Sequence, residues 1–373
     1  MSLTRRDFAT LAAAAASLAP TLAHAEPPVP VIIAHRGASG ERPEETRGAF
    51  DLAIDEGADF IEPDLVPTKE GILVARHENE ISSTTDVAAH AEFADRKTTK
   101  TIDGKSVAGW FTEDFTLAEL KTLTCRERLP QLRPQSAKFD GKEPILTFQE
   151  VIDIARAGCV RTARTVGVYP EMKHPSYFAS IGLAVDERLA ADLHTAGYTA
   201  RASAVWVQCF ETAALKNFGR LSHVRRAQLI DIEGGPADEA SLRYADMISP
   251  DGLAAIRRYA DAVAPHQGLV VDLQAAVFPA PTTLTLDAHA AGLQVHCWTA
   301  RAENEFLPRT LQRGDPRAAD FAARRGDYDK LMVGLLMTGV DGLFSDYPAF
   351  AARARDEAVR QIERRDEDAR RRR

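Results

Sequence analysis

Residues 31–77 read VIIAHRGASGERPEETRGAFDLAIDEGADFIEPDLVPTKEGILVARH, and this stretch decides the fold of the chain. It contains three apolar, strand-like runs that end on polar residues. The first ends on His35 and Arg36, the second on Glu62 and Asp64, and the third on His77. In α/β barrels the reactive side chains lie at the ends of the strands. The pattern therefore predicts such a barrel, with these residues at its active site.

The second and third strands of this stretch are too close in sequence to be parallel. Only residues 68–71 separate them, whereas a parallel connection needs roughly a dozen residues. We therefore predict an antiparallel hairpin in which Glu62 lies opposite His77 and Asp64 lies opposite Ala75. Because paired residues share one face of a sheet, this register brings both carboxylates and the histidine together. The alternative, a surface hairpin with incidental charges, is disfavoured by the polar end of the first strand beside it.

Strand-then-helix units continue along the chain and reach eight, the number of a closed barrel. Residues 78–145 interrupt them; they are polar, broken by glycine and proline, and too long for a simple loop. We therefore predict an α/β fold, a (β/α)8 TIM barrel over residues 26–352, with an insertion at 78–145 after the hairpin of the second strand. Beyond the strands near residues 31 and 59, the predicted strands are Val166–Glu171, Ala204–Gln208, Arg226–Ile230, Ala262–Pro265, Gln294–Trp298 and Gly342–Ser345.

Both ends of the chain are predicted to lie outside the barrel. Residues 1–25 combine Arg5 and Arg6 with an alanine-rich apolar run and small residues at positions 23–25, which is typical of a cleavable signal peptide. The order Arg-Arg-Asp-Phe resembles a twin-arginine signal; the usual lysine is absent, so ordinary secretion stays an alternative. We expect a periplasmic protein in which residues 353–373 form a charged, solvated C-terminal tail.

The composition limits the partners of this protein. The formal net charge is -8, and the core of the chain carries no basic block that could follow a phosphate backbone, so nucleic acid is not expected as a partner. The apolar run near the N-terminus is shorter than the roughly 20 residues that span a bilayer, so stable membrane insertion is not expected either. An oligomer is allowed but not indicated.

Seven motifs follow one another in order along roughly residues 31–350. They are His35-Arg36-Gly37-Ala38-Ser39-Gly40, Pro43-Glu44-Glu45-Thr46, Glu62-x-Asp64, Leu73-Val74-x-x-His77, Tyr169-Pro170-Glu171-Met172-Lys173, Gln208-Cys209-Phe210 and Gly342-Leu343-Phe344-Ser345-Asp346-Tyr347-Pro348. This ordered set resembles the glycerophosphodiester phosphodiesterase family, most closely its periplasmic branch with a large insertion. The resemblance implies hydrolysis of small-molecule glycerophosphodiesters to sn-glycerol 3-phosphate and an alcohol.

Three carboxylates are candidate metal ligands. Glu62, Asp64 and Glu171 would form an oxygen-only, triply negative set, which suits Ca²⁺ or Mg²⁺ better than zinc. The resemblance implies the same three ligands, and we expect Ca²⁺ rather than Mg²⁺. Lys173 follows Glu171 on the same face of its strand and is a candidate phosphate contact. A surface Glu–Lys pair is the alternative for these last two residues.

Two histidines and an arginine are candidate catalytic residues. His35 and His77 are the candidate acid and base, since imidazole titrates near neutral pH. Arg36 would neutralise charge on the phosphorus in the transition state. Phe210 and Trp298 could form an apolar wall against the glycerol carbons of the substrate, although a core role for Phe210 is an equal alternative.

The resemblance also implies a site role for Glu44, as a residue that orients Arg36 or the metal. The chain departs from the family pattern at two positions, one directly after Glu44 and one directly after His77. Glu45 stands where the family usually has Asn or His, and Glu78 stands where it usually has Asp. The second change leaves the hydrogen bonding of His77 open.

Two other functions compete with this interpretation. A phospholipase D-like enzyme would cleave a lipid phosphodiester, and it would need an exposed apolar rim, for which Trp110, Phe111 and Phe115 of the insertion are the candidates. An exported binding protein would capture phosphodiesters without turnover. The presence of both histidines and all three carboxylates argues against the binding protein.

Overall fold

The computed structural model describes residues 29–371, so the predicted signal peptide, residues 1–25, lies outside the described residues. Among the described helices, none combines the length and the apolar character needed to cross a membrane. The strands are β1 (Val31–His35), β2 (Phe60–Glu62), β3 (Asp64–Pro67), β4 (Leu73–Ala75), β5 (Thr98–Ile102), β6 (Lys105–Gly109), β7 (Gly167–Val168), β8 (Glu171–Met172), β9 (Trp206–Cys209), β10 (Arg225–Ile230), β11 (Ala262–Pro265), β12 (Gln294–Ala300) and β13 (Gly342–Ser345).

Helices follow most of the strands and form the outer layer of the fold. Several begin at a side-chain cap; Thr147, for example, accepts a hydrogen bond from the backbone N–H of Glu150, which in turn reaches back to Thr147. The α-helices are α1 (Arg47–Asp55), α2 (Leu117–Leu120), α3 (Phe148–Thr162), α4 (Pro175–Ser180), α5 (Val185–Thr195), α6 (Thr212–Leu221), α7 (Tyr244–Met247), α8 (Pro250–Arg257), α9 (Gln267–Val270), α10 (Leu284–Ala290), α11 (Tyr328–Leu336) and α12 (Pro348–Arg371).

The sheet closes into a barrel of eight parallel strands, as predicted. β1 pairs with β13 on one side and with β2 on the other, and the ring continues through β8, β9, β10, β11 and β12 back to β13. Two of the eight barrel strands are broken: β2 and β3 form one, and β7 and β8 form the next. The breaks fall at Pro63 and at Tyr169-Pro170, because a proline has no N–H to donate to the neighbouring strand.

The β3–β4 hairpin is antiparallel, as predicted, but the predicted register was wrong by one residue. Leu65 pairs with Ala75, and Pro67 pairs with Leu73 rather than with Ile72. Pro67 has no N–H, so the turn is closed by the N–H of Thr68, which donates to the carbonyl of Ile72 at 2.9 Å. β4 ends at Ala75, so His77 reaches the barrel opening from the loop that follows and not by strand alternation.

The insertion at 78–145 packs onto the barrel with its own apolar residues. Its main regular element is the β5–β6 hairpin, and Ile81, Phe93, Phe115 and Leu123 join the same buried cluster as the helices of the first half of the barrel. The chain leaves and re-enters the barrel at adjacent points, where the N–H of Ala75 donates to the carbonyl of Leu146 at 2.9 Å. The insertion therefore begins and ends at neighbouring positions of the barrel.

Helix α12 continues beyond the predicted end of the barrel. Residues 353–371, predicted as part of a charged tail, belong to this helix. Ala351, Ala354 and Ala358 are buried against the core, and Arg355 Nη1 donates to Asp59 Oδ2 at 2.6 Å. The first half of α12 is thus part of the outer layer of the barrel, and the predicted boundary at residue 352 falls inside a packed helix.

Candidate active site

A cavity of about 290 Å³ opens at the carboxyl ends of the barrel strands. Eight of the ten predicted site residues line it, and the other two, Asp64 and Glu44, lie behind its wall. The lining residues are His35, Arg36, Glu62, His77, Glu171, Lys173, Gln208, Phe210, Leu229, Asp231, Trp298, Thr299 and Phe344.

The three predicted metal ligands converge at the two strand breaks. Glu62 ends β2 and Asp64 begins β3, on either side of Pro63, while Glu171 begins β8 just after Pro170. Asp64 and Glu171 are directly paired neighbours, so their side chains share one face of the sheet. One carboxylate oxygen from each of the three residues lies within 4.8 Å of the others, and all three are buried.

The buried carboxylates repel one another, and nearby cations offset part of this repulsion. Burial, followed by the charge of Asp64, raises the pKa of Glu62 well above its usual range. Burial raises the pKa of Glu171 to about 7, although Lys173 opposes that shift. Burial would also raise the pKa of Asp64, but Lys173 and Arg36 lower it further than burial raises it. Lys173 Nζ lies 2.7 Å from Glu171 Oε1, and Arg36 Nε lies 2.9 Å from Asp64 Oδ2.

The chemistry of this cluster fits a hard divalent cation. Its donors are all carboxylate oxygens, the ligand type that Ca²⁺ and Mg²⁺ take. Asp64 Oδ2 faces Arg36 Nε, whereas within residues 29–371 Asp64 Oδ1 has no hydrogen-bond partner, so Oδ1 can bind a cation. Glu62 and Asp64 are also held from behind: Gln208 Nε2 donates to Glu62 Oε1 at 3.0 Å, and the backbone N–H of Asp64 donates to Glu45 Oε1 at 2.8 Å.

His35 ends β1 and is held by a carboxylate from the neighbouring strand end. Its Nδ1 lies 2.6 Å from Asp346 Oδ1, just beyond β13, which pairs with β1. Burial and the charge of Arg36 lower the pKa of His35 to about 4. The imidazole is therefore neutral at pH 7, and the contact at Nδ1 leaves Nε2 for a ligand.

His77 has the same type of partner on the other side of the carboxylate cluster. Its Nδ1 contacts Glu78 Oε1, so the glutamate that replaces the usual aspartate still reaches the histidine. Burial, with the charges of Arg36 and Lys173, holds the pKa of His77 well below its usual range. Both candidate histidines are thus neutral and are each backed by a carboxylate.

Arg36 occupies a left-handed backbone conformation with φ of 57°. This conformation turns its N–H onto Glu62 Oε2 at 2.7 Å and directs its side chain into the cavity. Gly37 follows with φ of 82°, and a Cβ there would lie 2.6 Å from the backbone of Ala49, so the position requires glycine. The first motif therefore combines a strand end with a turn that only glycine permits.

Glu44 lies behind the cavity wall, against Arg36. Its carboxylate accepts a hydrogen bond from Arg36 Nη1 at 3.2 Å and one from Arg128 Nε at 2.9 Å, and it does not line the cavity. The two arginines hold the pKa of Glu44 well below its usual range, despite its burial. Glu44 is therefore placed to orient Arg36, which is the first of the two roles that the resemblance implied.

The predicted apolar wall is present on the far side of the cavity. The rings of Phe210 and Trp298 meet edge to face with centroids 5.8 Å apart, and Trp298 Nε1 donates to the carbonyl of Ala264 at 2.8 Å. Lys173 Nζ lies 5.9 Å from the centroid of the Phe210 ring. Phe210 also packs against the core, so both roles suggested for it from the sequence have structural support.

Several residues that support the site were missed or given no role from the sequence. Asp346 and Gln208 were quoted in motifs without a role. Arg128 and Arg133 lie in the irregular part of the insertion, where no periodicity indicates which side chains turn inward. The structure brings both arginines to the carboxylates behind the site.

The closed parallel barrel, with its polar cluster at the strand ends, defines the protein as an enzyme of the (β/α)8 class. Within that class, the family model for the Glycerophosphoryl diester phosphodiesterase family matches residues 35–350. This chain therefore belongs to that family, which confirms the predicted resemblance.

Curated relatives and solved structures agree with this assignment. The Arabidopsis thaliana protein "Glycerophosphodiester phosphodiesterase GDPD6" is 36% identical over 330 residues, which cover 85% of this chain and 84% of that protein. A glycerophosphodiester phosphodiesterase of Haemophilus influenzae is 27% identical over 347 residues, 85% of this chain and 87% of that protein. An Oleispira antarctica phosphodiesterase, solved in complex with the product sn-glycerol-3-phosphate, shares the fold at a TM-score of 0.57 and 21% identity, covering 88% of this chain and 97% of that one.

Proposed function

We propose that this protein hydrolyses glycerophosphodiesters to sn-glycerol 3-phosphate and a free alcohol. The observation that carries the proposal is one cavity in which two carboxylate-backed histidines accompany a buried cluster of three carboxylates. Family membership supports the substrate class. So does the product complex of the Oleispira antarctica enzyme, whose fold this chain shares.

Two cations of the cavity are suited to bind the phosphate. Arg36 and Lys173 both line the cavity, and each already lies against a carboxylate of the cluster. Their charges would attract the nonbridging oxygens of the phosphodiester and stabilise the additional charge of the transition state. Phe210 and Trp298 would exclude water from the carbon skeleton of the substrate.

The two histidines would transfer the protons. As neutral imidazoles, both can accept a proton; one would take it from the attacking hydroxyl, and the other would donate a proton to the leaving alcohol. The bound phosphate is an anion, and its charge would raise the pKa of the histidine that has to carry the proton. Asp346 and Glu78 would orient the two rings throughout.

We infer that Glu62, Asp64 and Glu171 hold a divalent cation, Ca²⁺ rather than Mg²⁺. An all-carboxylate site suits the flexible coordination of Ca²⁺, whereas Mg²⁺ usually keeps several waters. When bound, such a cation would stabilise negative charge on the phosphate oxygens. Burial, and after it the charge of Asp64, raises the pKa of Glu62, and a bound cation would offset both effects.

An assay coupled to glycerol 3-phosphate tests the proposed function. The mature protein is incubated with the glycerophosphodiesters of choline, ethanolamine and glycerol, each with Ca²⁺ and with Mg²⁺. We expect turnover that requires a metal. Binding of these substrates without any release of glycerol 3-phosphate would instead support the exported binding protein.

The phospholipase D-like alternative loses the feature on which it depended. Trp110, Phe111 and Phe115, the candidates for an exposed apolar rim, are all buried in the insertion. Trp110 Nε1 donates to the carbonyl of Phe93 at 2.6 Å, so the ring is held inside. A small, water-soluble diester therefore fits this cavity better than a lipid embedded in a membrane.

We also propose that the protein is exported to the periplasm through the twin-arginine pathway, on the basis of residues 1–25 alone. Replacing Arg5 and Arg6 by lysine should leave the precursor inside the cell if this pathway is used. Fractionation and immunoblotting would detect the change. Normal export of the variant would assign the protein to general secretion.

A further inference from the structure

Each candidate histidine is backed by a carboxylate, and each carboxylate is contacted by an arginine from the insertion. On the first side, Asp346 Oδ1 lies 2.6 Å from His35 Nδ1, and Asp346 Oδ2 accepts a hydrogen bond from Arg133 Nη2. On the second side, Glu78 contacts His77 Nδ1, and the carboxylate of Glu78 lies 2.9 Å from Arg128 Nη1 and 2.8 Å from Arg128 Nη2. The two arrangements repeat the same three groups in the same order.

Both arginines are fixed at more than one point. Arg133 Nη1 donates to the carbonyl of Ser39 at 2.9 Å, and Arg133 Nε donates to Glu303 Oε1 at 2.7 Å; only 5% of its side chain is exposed. Arg128 Nε donates to Glu44 Oε2 at 2.9 Å. If Arg133 turned away, buried Glu303 would lose its ion-pair partner, which is costly. Arg128 is instead held by two carboxylates at once, Glu44 and Glu78.

The segment that carries both arginines is itself rigid. Buried Glu127 accepts a hydrogen bond from the N–H of Leu129 at 2.9 Å and another from the hydroxyl of Ser136. Its own N–H donates to Asp140 Oδ1 at 2.7 Å. An internal hydrogen-bond network around Glu127 thus fixes the positions of Arg128 and Arg133 relative to each other.

A carboxylate behind an imidazole fixes its tautomer and ring orientation, and a buried carboxylate stays ionised only beside a positive charge. We infer that the insertion positions both catalytic histidines: Arg133 acts on His35 through Asp346, and Arg128 acts on His77 through Glu78. This inference rests on the proposed function, since it assigns the histidines a role in turnover. It gives the insertion a positioning role in catalysis.

The titration of the two carboxylates agrees with this role. Burial alone would raise the pKa of Asp346, but Arg301 and Arg133 hold it well below its usual range. Burial would likewise raise the pKa of Glu78, and Arg128 lowers it instead. Asp346 retains Arg301, whose Nε lies 2.9 Å from Asp346 Oδ2, when Arg133 is lost. Within residues 29–371, Glu78 has no arginine or lysine other than Arg128 within ion-pair distance.

Arg128→Ala is therefore the principal test, and Arg126→Ala is its matched control, because Arg126 is exposed in the same segment. Loss of a partner behind a catalytic ligand typically costs about 10–100-fold in activity. We expect Arg128→Ala to lower kcat by about that factor while KM changes by less than about threefold. Arg126→Ala should match the wild type. Millimolar guanidinium should restore part of the activity of Arg128→Ala.

A double-mutant cycle distinguishes positioning from simple stabilisation. If Arg128 acts through Glu78, the Arg128→Ala/Glu78→Ala double variant should be no slower than the slower single variant. Additive losses in kcat, with no rescue by guanidinium, would overturn the inference that Arg128 positions His77. Thermal unfolding of each variant confirms that the measured protein is folded.

The action of Arg133 on His35 is tested with Arg133→Lys, which keeps the charge of the buried residue and is more conservative than alanine. A substrate with a nitrophenol leaving group needs no protonation of that group. On this substrate, the kcat loss should disappear in the variant that affects the histidine acting as the acid. The kcat loss of the other variant should stay the same. Equal losses on both substrates in both variants would contradict separate acid and base positioning. A wild-type protein without turnover would refute the proposed function itself, whereas an active wild type with full kcat in Arg128→Ala and Arg133→Lys would refute only this inference.

Discussion

The strand ends of the barrel and the insertion contribute to the same cavity in different ways. The barrel and its first hairpin supply the lining side chains, among them His35, Glu62, Glu171 and His77. Of the described residues in the insertion at 78–145, none lines the cavity. Its arginines lie one layer further out, against the carboxylates that hold the histidines and Arg36.

This difference shows that the barrel edge places the reactive groups, whereas the insertion supports them from outside. Parallel strands present side chains at fixed intervals, so a barrel edge is suited to placing reactive groups around one point. An irregular segment can approach that edge from outside and contact groups that strand geometry leaves unsupported. Changes at the barrel edge should therefore reduce turnover more than changes in the insertion.

The largest loss is expected from the carboxylate cluster. Removing the cation with a chelator, or one ligand in Asp64→Asn, should abolish turnover, and added Ca²⁺ or Mg²⁺ should restore the chelated wild type but not the variant. Asp51→Asn, on the surface of α1, is the matched control. Activity and metal content by mass spectrometry provide the measurement. Full activity in metal-free protein would refute the proposed cation site.

The next largest loss is expected from the histidines. General acid or base catalysis contributes roughly 10²–10⁴-fold, so His35→Ala and His77→Ala should each lose about that much in kcat. KM should change far less, because Arg36 and Lys173 still attract the phosphate. His223→Ala, at an exposed position, should retain wild-type kinetics. Near-normal turnover in His77→Ala would remove that residue from the mechanism.

A smaller effect is expected when the substrate itself is changed. The glycerol 2-hydroxyl can attack the phosphorus, and well-oriented intramolecular attack can gain up to roughly 7–11 kcal/mol over a bimolecular route. We predict a cyclic 1,2-phosphate that water then opens. A 2-deoxy substrate should bind but turn over at least about a hundredfold more slowly, each tenfold being about 1.4 kcal/mol. Normal turnover of this analogue would identify water as the direct nucleophile.

The smallest effect on turnover is expected from the core of the insertion. Phe115 is fully buried there, and Phe115→Ala should lower the free energy of unfolding by about 3–5 kcal/mol. The folded fraction should keep kcat within about threefold, because Phe115 touches none of the arginine contacts described above. Denaturant unfolding and kinetics together measure both effects, and Phe115→Leu should destabilise less. A large kcat loss in folded Phe115→Leu would contradict the separation of the two regions.

The barrel and most of its cavity could be predicted because they depend on local order. Apolar runs that end in polar residues indicate strand ends, and parallel strand ends gather at one edge of the barrel. The inclusion of Glu171, about a hundred residues from Glu62, rested mainly on the family resemblance. The hairpin register could not be predicted in the same way. It depends on which N–H closes the turn, and Pro67 shifts that bond to Thr68.

The support behind the cavity could not be predicted, for a different physical reason. Arg128 and Arg133 lie in a segment without periodicity, so their direction depends on a network around Glu127 that forms only in the folded chain. The second partner of Glu44 was similarly hidden, because no sequence pattern indicates that Arg128 approaches it. The resemblance to the family supplied the site residues but said nothing of these contacts.

The adjacent ends of the insertion have a consequence for how this chain can change over time. Ala75 and Leu146 are hydrogen-bonded neighbours, so the segment between them leaves the barrel connectivity intact whatever its length. The entropy of closing such a loop grows slowly, by only about 0.6 kcal/mol for each doubling of its length. Residues can therefore be gained or lost in its exposed parts, such as the β5–β6 hairpin, at little loop-closure cost to the barrel, whereas its packed core is constrained. Evolution could therefore change the exposed parts of the insertion while the barrel strands that carry the reactive groups stay unchanged.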